Sequence, residues 1–358
     1  MNALAHDQWD WHRDEVEQQL TEFFEAGGER VGAYGPAFER LWSLAAQTVT
    51  GGKLVRPLLL IDAWHALAPA RPRRELQVVL DLAVALELLH YAFLLHDDVI
   101  DGDVLRRGRP NLIGALRGEA SAAEEAAAHW AHSGGILMGD LLLSSAHQVF
   151  ARADLPRDQH LQLLDLLDHT ITESVAGELV DVGLADGVIA PELSTILAMT
   201  SHKTATYTFE LPLRMAAVLA GSRPGIEGRL GAIGRHLGLA FQLQDDLLST
   251  FGDPRCHGKD RWSDLREGKQ TAIIAHARHT ETWPRIEPLL GRPGLCEQEA
   301  EHLSELLVDC GAKGFVEALV EDQWRHAHAL VTGGEHELPP AMRRSLLALL
   351  DQLRGRQS

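Results

Sequence analysis

Two short stretches carry aspartates at spacings suited to metal and phosphate chemistry. "HDDVIDGDVLRRGRP" (96–110) sets Asp97, Asp98, Asp101 and Asp103 beside Arg106, Arg107 and Arg109. "FQLQDDLLSTFGD" (241–253) sets Asp245, Asp246 and Asp253 ahead of a loop, "GKDRWSDLREGKQT" (258–271), bracketed by Lys259 and Lys269. Asp97 and Asp101 are four residues apart, which on a helix puts them about 40° from each other on one face. An EF-hand beginning at Asp97 would need an oxygen ligand at its third position and Glu at its twelfth, where Val99 and Gly108 stand. A di-iron bundle needs Glu-x-x-His twice, and Glu87-Leu88-Leu89-His90 is one copy without a second. Magnesium with a phosphorylated ligand fits better. It takes one or two carboxylates, waters and phosphate oxygens, while guanidinium forks grip phosphate. The alternative is a solvated acidic helix end beside surface arginines, and the second aspartate pair weighs against it.

The elements that must position these residues read as helices almost throughout. "VVLDLAVALELLHYAFLLHD" (78–97) is apolar on nearly every side, the mark of a helix at the centre of a bundle. Residues 159–181 and 341–353 show the amphipathic 3.6 period, and 228–252 continues it with glycines that permit close packing. "PELSTILAM" (191–199) opens on Pro and Glu, a good first helical turn. Breaks rich in Gly, Pro or Asp fall at 102–111, 182–191, 221–225 and 252–264. No repeat and no interdomain linker is evident. The expectation is all-α: a single large helical bundle around a central cavity, one domain over 1–358, with an aspartate pair ending each of two long apolar helices.

Composition narrows the partners. A net charge of −18 argues against nucleic acid or an anionic membrane surface, so phosphate must be met by local cations or bound metal. The apolar fraction of 45% suffices for a packed core. Cys256, Cys296 and Cys310 have no zinc spacing and are odd in number, which fits a reducing compartment. The charged first twenty residues show no signal peptide, and no apolar stretch is read as reaching the roughly 20 residues of a membrane span. A soluble cytoplasmic protein without stable membrane insertion is expected.

Five motifs in order give the chain a resemblance to the trans-isoprenyl diphosphate synthases, the head-to-tail polyprenyl synthases. They are "GGKLVRP" (51–57), the first aspartate motif, "GDLLL" (139–143), "KTATYTFELPL" (203–213), and "FQLQDD" (241–246) with its GK-bearing loop. The resemblance implies a transferase joining isopentenyl diphosphate to an allylic diphosphate with three magnesium ions, and a homodimer. By position, Asp97 and Asp101 resemble the first metal ligands with Asp98 in support, and Asp245 resembles the main ligand of the second motif with Asp246 beside it. Arg106, Lys203 and Lys269 look like the clamp on the allylic diphosphate, with Lys259 reaching the same group. Lys53, Arg56, His90 and Arg107 look like the isopentenyl diphosphate site. Thr204 and Gln242 stand where the family places dipoles for developing positive charge, and Phe241 beside the homoallylic substrate.

Two positions depart from the family pattern. Ser249 replaces the third aspartate of the second motif, for which Asp253 is a candidate substitute, and Leu54 replaces a frequent arginine of the first motif. Phe93 lies one turn before Asp97 on the same face, where a growing chain must pass. A ring there should limit product length, with Ala92 leaving room on its other side and Leu89 one turn deeper. Geranylgeranyl diphosphate is the expected product, with farnesyl or longer polyprenyl chains as alternatives. A terpene cyclase of the same fold would not need Lys53, Arg56 and His90, and a non-catalytic partner subunit would not keep Asp97, Asp101 and Asp245.

Overall fold

The apolar run around residues 78–97 becomes α4 (Arg73–Asp101), a helix whose inward positions from Val79 to Leu95 are almost all buried. The computed structural model describes residues 3–49, 51–68, 72–106, 108–252, 262–333 and 337–355. Over Arg74–Asp101 this helix meets the length and composition of a membrane span, which corrects the expectation that no stretch does. Its most apolar window is 72% buried inside the protein, so the apolar surface is satisfied by neighbouring helices. Among the described residues the chain is all-α, with one two-stranded hairpin.

Two compact units are distinguishable: Met1–Asp165 with Met215–Gly221, and Leu166–Arg214 with Ser222–Ser358. In the first, α1 (Ala3–Val31), α2 (Pro36–Val49) and α3 (Val55–Leu67) precede α4. A hairpin of Leu105–Arg106 and Arg109–Pro110 follows it, then α5 (Leu112–Glu119) and α6 (Glu124–Arg152). The long helices α4 and α6 pack side by side, with α3 on α4 and α5 on α6. At their contact a β-carbon on Gly139 would fall 2.4 Å from the His96 ring, so glycine in "GDLLL" is what admits the imidazole. Asp140 then meets His96 Nε2 at 3.2 Å and ties α6 to the end of α4.

In the second unit, α7 (Arg157–Ala185) contributes its C-terminal part. A continuous helical run follows: α8 (Leu193–Thr200), a π-helical segment (Ser201–Glu210) and α9 (Leu211–Leu219), which passes back to the first unit at Met215. The helix begins after a Glu192 cap with extended backbone, so Pro191 and Glu192 precede the first turn rather than forming it. Pro212 has no N–H to donate, and it sits just where the wider i→i−5 register ends with Leu211 N–H donating to the Thr206 carbonyl. α10 (Ile226–Phe251) packs on this π segment and on a long helix near the C-terminus, Ala312–Thr332.

Candidate functional site

The first aspartate motif ends α4. Gly102 adopts φ +73° as the helix cap, and the Asp103 N–H donates to the Asp98 carbonyl at 2.8 Å, which stops the helix at Asp101. Asp97 is partly exposed and Asp101 exposed on the last turn, whereas Asp98 is buried. The hairpin folds Arg106 back, so that its Nη2 donates to Asp98 Oδ1 at 2.5 Å and stands 3.9 Å from Asp97 Oδ2. Burial pushes the Asp98 carboxyl up to about 6, as do Asp97 and Asp103, while Arg106 opposes them. Burial would lower the Arg106 guanidinium, but Asp98, Asp97 and Asp103 outweigh it and raise it. Asp98 is thus the nearest partner of Arg106, and Asp97 and Asp101 stand beside it on the last turns of the helix. Arg109 faces Arg106 across the hairpin and is exposed; Arg107 lies outside the described residues.

Lys53, Arg56 and His90 belong to the same unit. Lys53 is exposed in the loop ahead of α3, Arg56 is half-buried on its first turn, and His90 is half-buried on α4 one turn beyond the buried Glu87. A β-carbon on Gly52 would lie 3.3 Å from Glu87 Oε1, so the loop and α4 meet closely there. Toward the motif, Leu89 and Ala92 are fully buried and Phe93 half-buried.

In the second unit the π segment presents Lys203 and Thr204. Lys203 Nζ donates to Asp181 Oδ2 at 2.6 Å and reaches Glu178 Oε2 at 3.0 Å, both on α7. α7 can come this close because Gly177 has no side chain: a β-carbon there would lie 2.4 Å from the Lys203 nitrogen. On α10, Gln242 Nε2 donates to Asp246 Oδ1 at 3.0 Å, Phe241 tilts against Phe209 with ring centroids 5.4 Å apart, and Asp245 is half-buried. Burial pushes the Asp246 carboxyl up to about 7, against the pull of Lys269. Burial alone would lower Lys269, yet Asp264, Asp246 and Asp181 hold it above the ordinary lysine range, with Lys203 opposing them. The result is a set of carboxylates interleaved with two lysines, each cation already held by acids. Such a set could hold a diphosphate together with divalent cations, which would supply the positive charge the lysines alone lack.

The sequence matches the polyprenyl synthetase family over residues 39–307. The chain belongs to this family, the trans-isoprenyl diphosphate synthases. It is a transferase that condenses isopentenyl diphosphate with allylic diphosphates. The synthase is 32% identical over 271 residues to geranylgeranyl diphosphate synthase of Methanosarcina mazei, covering 75% of this chain and 76% of that protein. It is 31% identical over 342 residues to geranylfarnesyl diphosphate synthase of Natronomonas pharaonis, covering 91% and 92%. Its fold superimposes on geranylgeranyl pyrophosphate synthase from Corynebacterium glutamicum, a crystal structure complexed with isoprenyl diphosphate and magnesium. That superposition has a TM-score of 0.87 at 28% identity, over 97% of this chain and 99% of the other.

Within this synthase the donor chemistry suits magnesium. Among the described residues no three His, Cys, Asp or Glu side chains form a ready cage. Magnesium needs no such cage, since it keeps waters and is completed by substrate phosphates. The altered second motif is also explained locally. The buried Ser249 hydroxyl donates to the Asp246 carbonyl at 3.1 Å and contacts Asp264 Oδ2. Asp264 therefore supplies the carboxylate at this point of the chain, while Asp253 and Lys259 lie outside the described residues. Asp264, Asp181 and Glu178 were not legible as site residues. Asp264 stands in the quoted lysine loop, but Glu178 and Asp181 look like the wet face of an amphipathic helix.

Proposed function

We propose that this synthase makes geranylgeranyl diphosphate, using magnesium held by Asp97, Asp101 and Asp245, with three ions as the family resemblance implies. The observation that carries the product assignment is the half-buried Phe93 one turn before Asp97, backed by the fully buried Leu89 and Ala92. The geranylgeranyl diphosphate synthases among its relatives support it. Magnesium, when bound, supplies Lewis-acid stabilisation of the leaving diphosphate.

The chain's own residues do the rest. Arg106, Lys203 and Lys269, with Lys259, bind and orient the allylic diphosphate and stabilise the negative charge that grows as its C–O bond breaks. Lys53, Arg56, His90 and Arg107 orient isopentenyl diphosphate so that its double bond attacks the allylic carbon. The Thr204 hydroxyl and Gln242 amide turn dipoles toward the developing cation, beside Phe241, and apolar helix walls keep water from quenching it. The departing diphosphate accepts the proton lost from the new chain, so no protein nucleophile or base takes part. Asp98 and Asp246 act in support, through Arg106 and through Gln242 and Lys269.

Both units are proposed to work as one catalytic domain over 1–358, in a cytoplasmic homodimer. The exposed Trp130 and Leu137 on α6 support a partner surface there. The test is incubation of the purified protein with magnesium, labelled isopentenyl diphosphate and dimethylallyl, geranyl or farnesyl diphosphate in turn. A twenty-carbon product is expected. A fifteen- or twenty-five-carbon product would replace the assignment, and a hydrocarbon would point to a cyclase. No incorporation with any primer would sink the reading.

A further inference from the structure

The loop that carries Lys53 is short and awkwardly folded. Gly51 takes φ +84°, and Leu54, with a side chain, takes the left-handed conformation at φ +49° before α3 begins. A non-glycine residue there is strained and persists only where its surroundings hold it. Leu54 is buried, which anchors one end. The other constraint comes from α1. Arg13 Nη1 donates to the Gly52 carbonyl at 3.1 Å, and Nη2 donates to the Lys53 carbonyl at 2.9 Å. One planar guanidinium therefore grips two successive carbonyls of the loop. Glu17, one turn on, also accepts from Nη1 at 3.3 Å, as an i,i+4 surface pair. On the far side, Gly52 abuts Glu87, one turn before His90.

We propose that Arg13 is a positioning residue for isopentenyl diphosphate, fixing the backbone of Gly52 and Lys53 so that the Lys53 ammonium is presented where that diphosphate binds. The proposal rests on the assignment of Lys53 to that substrate. Arg13 lies on α1, ahead of residues 39–307, the part matched by the family. The planar fork matters: a lysine supplies a point charge and can satisfy one carbonyl well, not two at fixed spacing.

Arg13→Gln, Arg13→Lys and Glu17→Gln are compared with the wild type at saturating magnesium. In Arg13→Gln the KM for isopentenyl diphosphate rises about tenfold, the effect of about 1.4 kcal/mol. The kcat and the KM for the allylic primer stay within about twofold, because substrate at saturation orders the loop that Arg13 no longer holds. Arg13→Lys recovers part of the loss, and Glu17→Gln stays within about twofold throughout. A purely structural role for α1 would instead lower the melting temperature and move both KM values together, and that result overturns the proposal. Amide hydrogen exchange across residues 52–55 gives a readout without turnover: it is faster in Arg13→Gln, and unchanged exchange also overturns it. Saturation of the wild type by isopentenyl diphosphate tests the underlying assignment separately, so the two can fail independently.

Discussion

Gly177→Ala probes whether the π-helical segment must stay where α7 holds it. The added β-carbon would lie 2.4 Å from the Lys203 nitrogen and 2.8 Å from its Cα, against ordinary contact from 3.4 Å. The obstructing atoms are backbone, and α10 presses the same segment from elsewhere: a β-carbon on Gly238 would fall 2.5 Å from the Ala205 Cα. The segment cannot yield by turning a side chain, so it must shift by about 1 Å, a displacement that in a reacting geometry costs about a hundredfold in rate. The overpacking itself costs about 1–3 kcal/mol, a melting-temperature loss of a few degrees. Steady-state kinetics with isopentenyl diphosphate and a primer should therefore show kcat/KM down about a hundredfold in a protein that still folds. Gly183→Ala is the control, since the nearest atoms to its β-carbon belong to the Ile189 side chain, from 2.6 Å, and not to backbone. It should lose stability to a similar degree and keep its activity. If Gly177→Ala kept kcat/KM within about threefold, the link between π-segment position and catalysis would be refuted.

Phe93→Ala should lengthen the product by at least one isoprene unit, read by chromatography of the dephosphorylated alcohols; an unchanged chain length removes Phe93 from the argument. Ser249→Asp, which restores the usual third aspartate, should destabilise the enzyme by about 1–3 kcal/mol without raising activity. It sets a buried carboxylate against the half-buried Asp264, and a higher melting temperature together with faster turnover would contradict this. His12, buried and stacked 5.1 Å from His65, has its imidazole lowered to about 4 by burial and by His65. Between that value and about 6.5 the unfolded chain binds a proton that the folded one refuses, so His12 makes stability fall as pH drops through this window. Asp62, raised to about 7 by burial, acts with the opposite sign across that whole range. The comparison is therefore with His12→Gln: its stability in urea should lose less between pH 7 and 4 than the wild type's, by about 2 kcal/mol. Parallel pH curves would show that His12 stays accessible to protons.

Much of the machinery was legible as residue type and spacing. Aspartates four apart at the end of an apolar helix announce hard-metal chemistry because helical periodicity alone puts them on one face. The long buried run of α4, the amphipathic faces of residues 159–181 and 341–353, and the breaks near Gly102 and Gly252 follow from local rules that need no partner. What sequence could not convey depends on which groups meet across distant parts of the chain. Arg106 reads as an open phosphate fork, yet the hairpin turns it onto Asp98. Ser249 reads as a lost ligand, yet it sits against Asp264, fifteen residues on. "KTATYTFELPL" reads only as one of the five motifs, yet Pro212 and close-packed Gly177, Gly234 and Gly238 accompany a π register that sets Lys203 between Glu178 and Asp181. Arg13 has no motif at all and matters only because α1 lies along the Lys53 loop. Sequence thus determined the reagents and the helices that bear them, since both depend on neighbours a few residues away. Tertiary structure decided how each charge is paired, because in a low-dielectric interior the nearest opposite charge, and not the nearest in sequence, sets what a side chain can do.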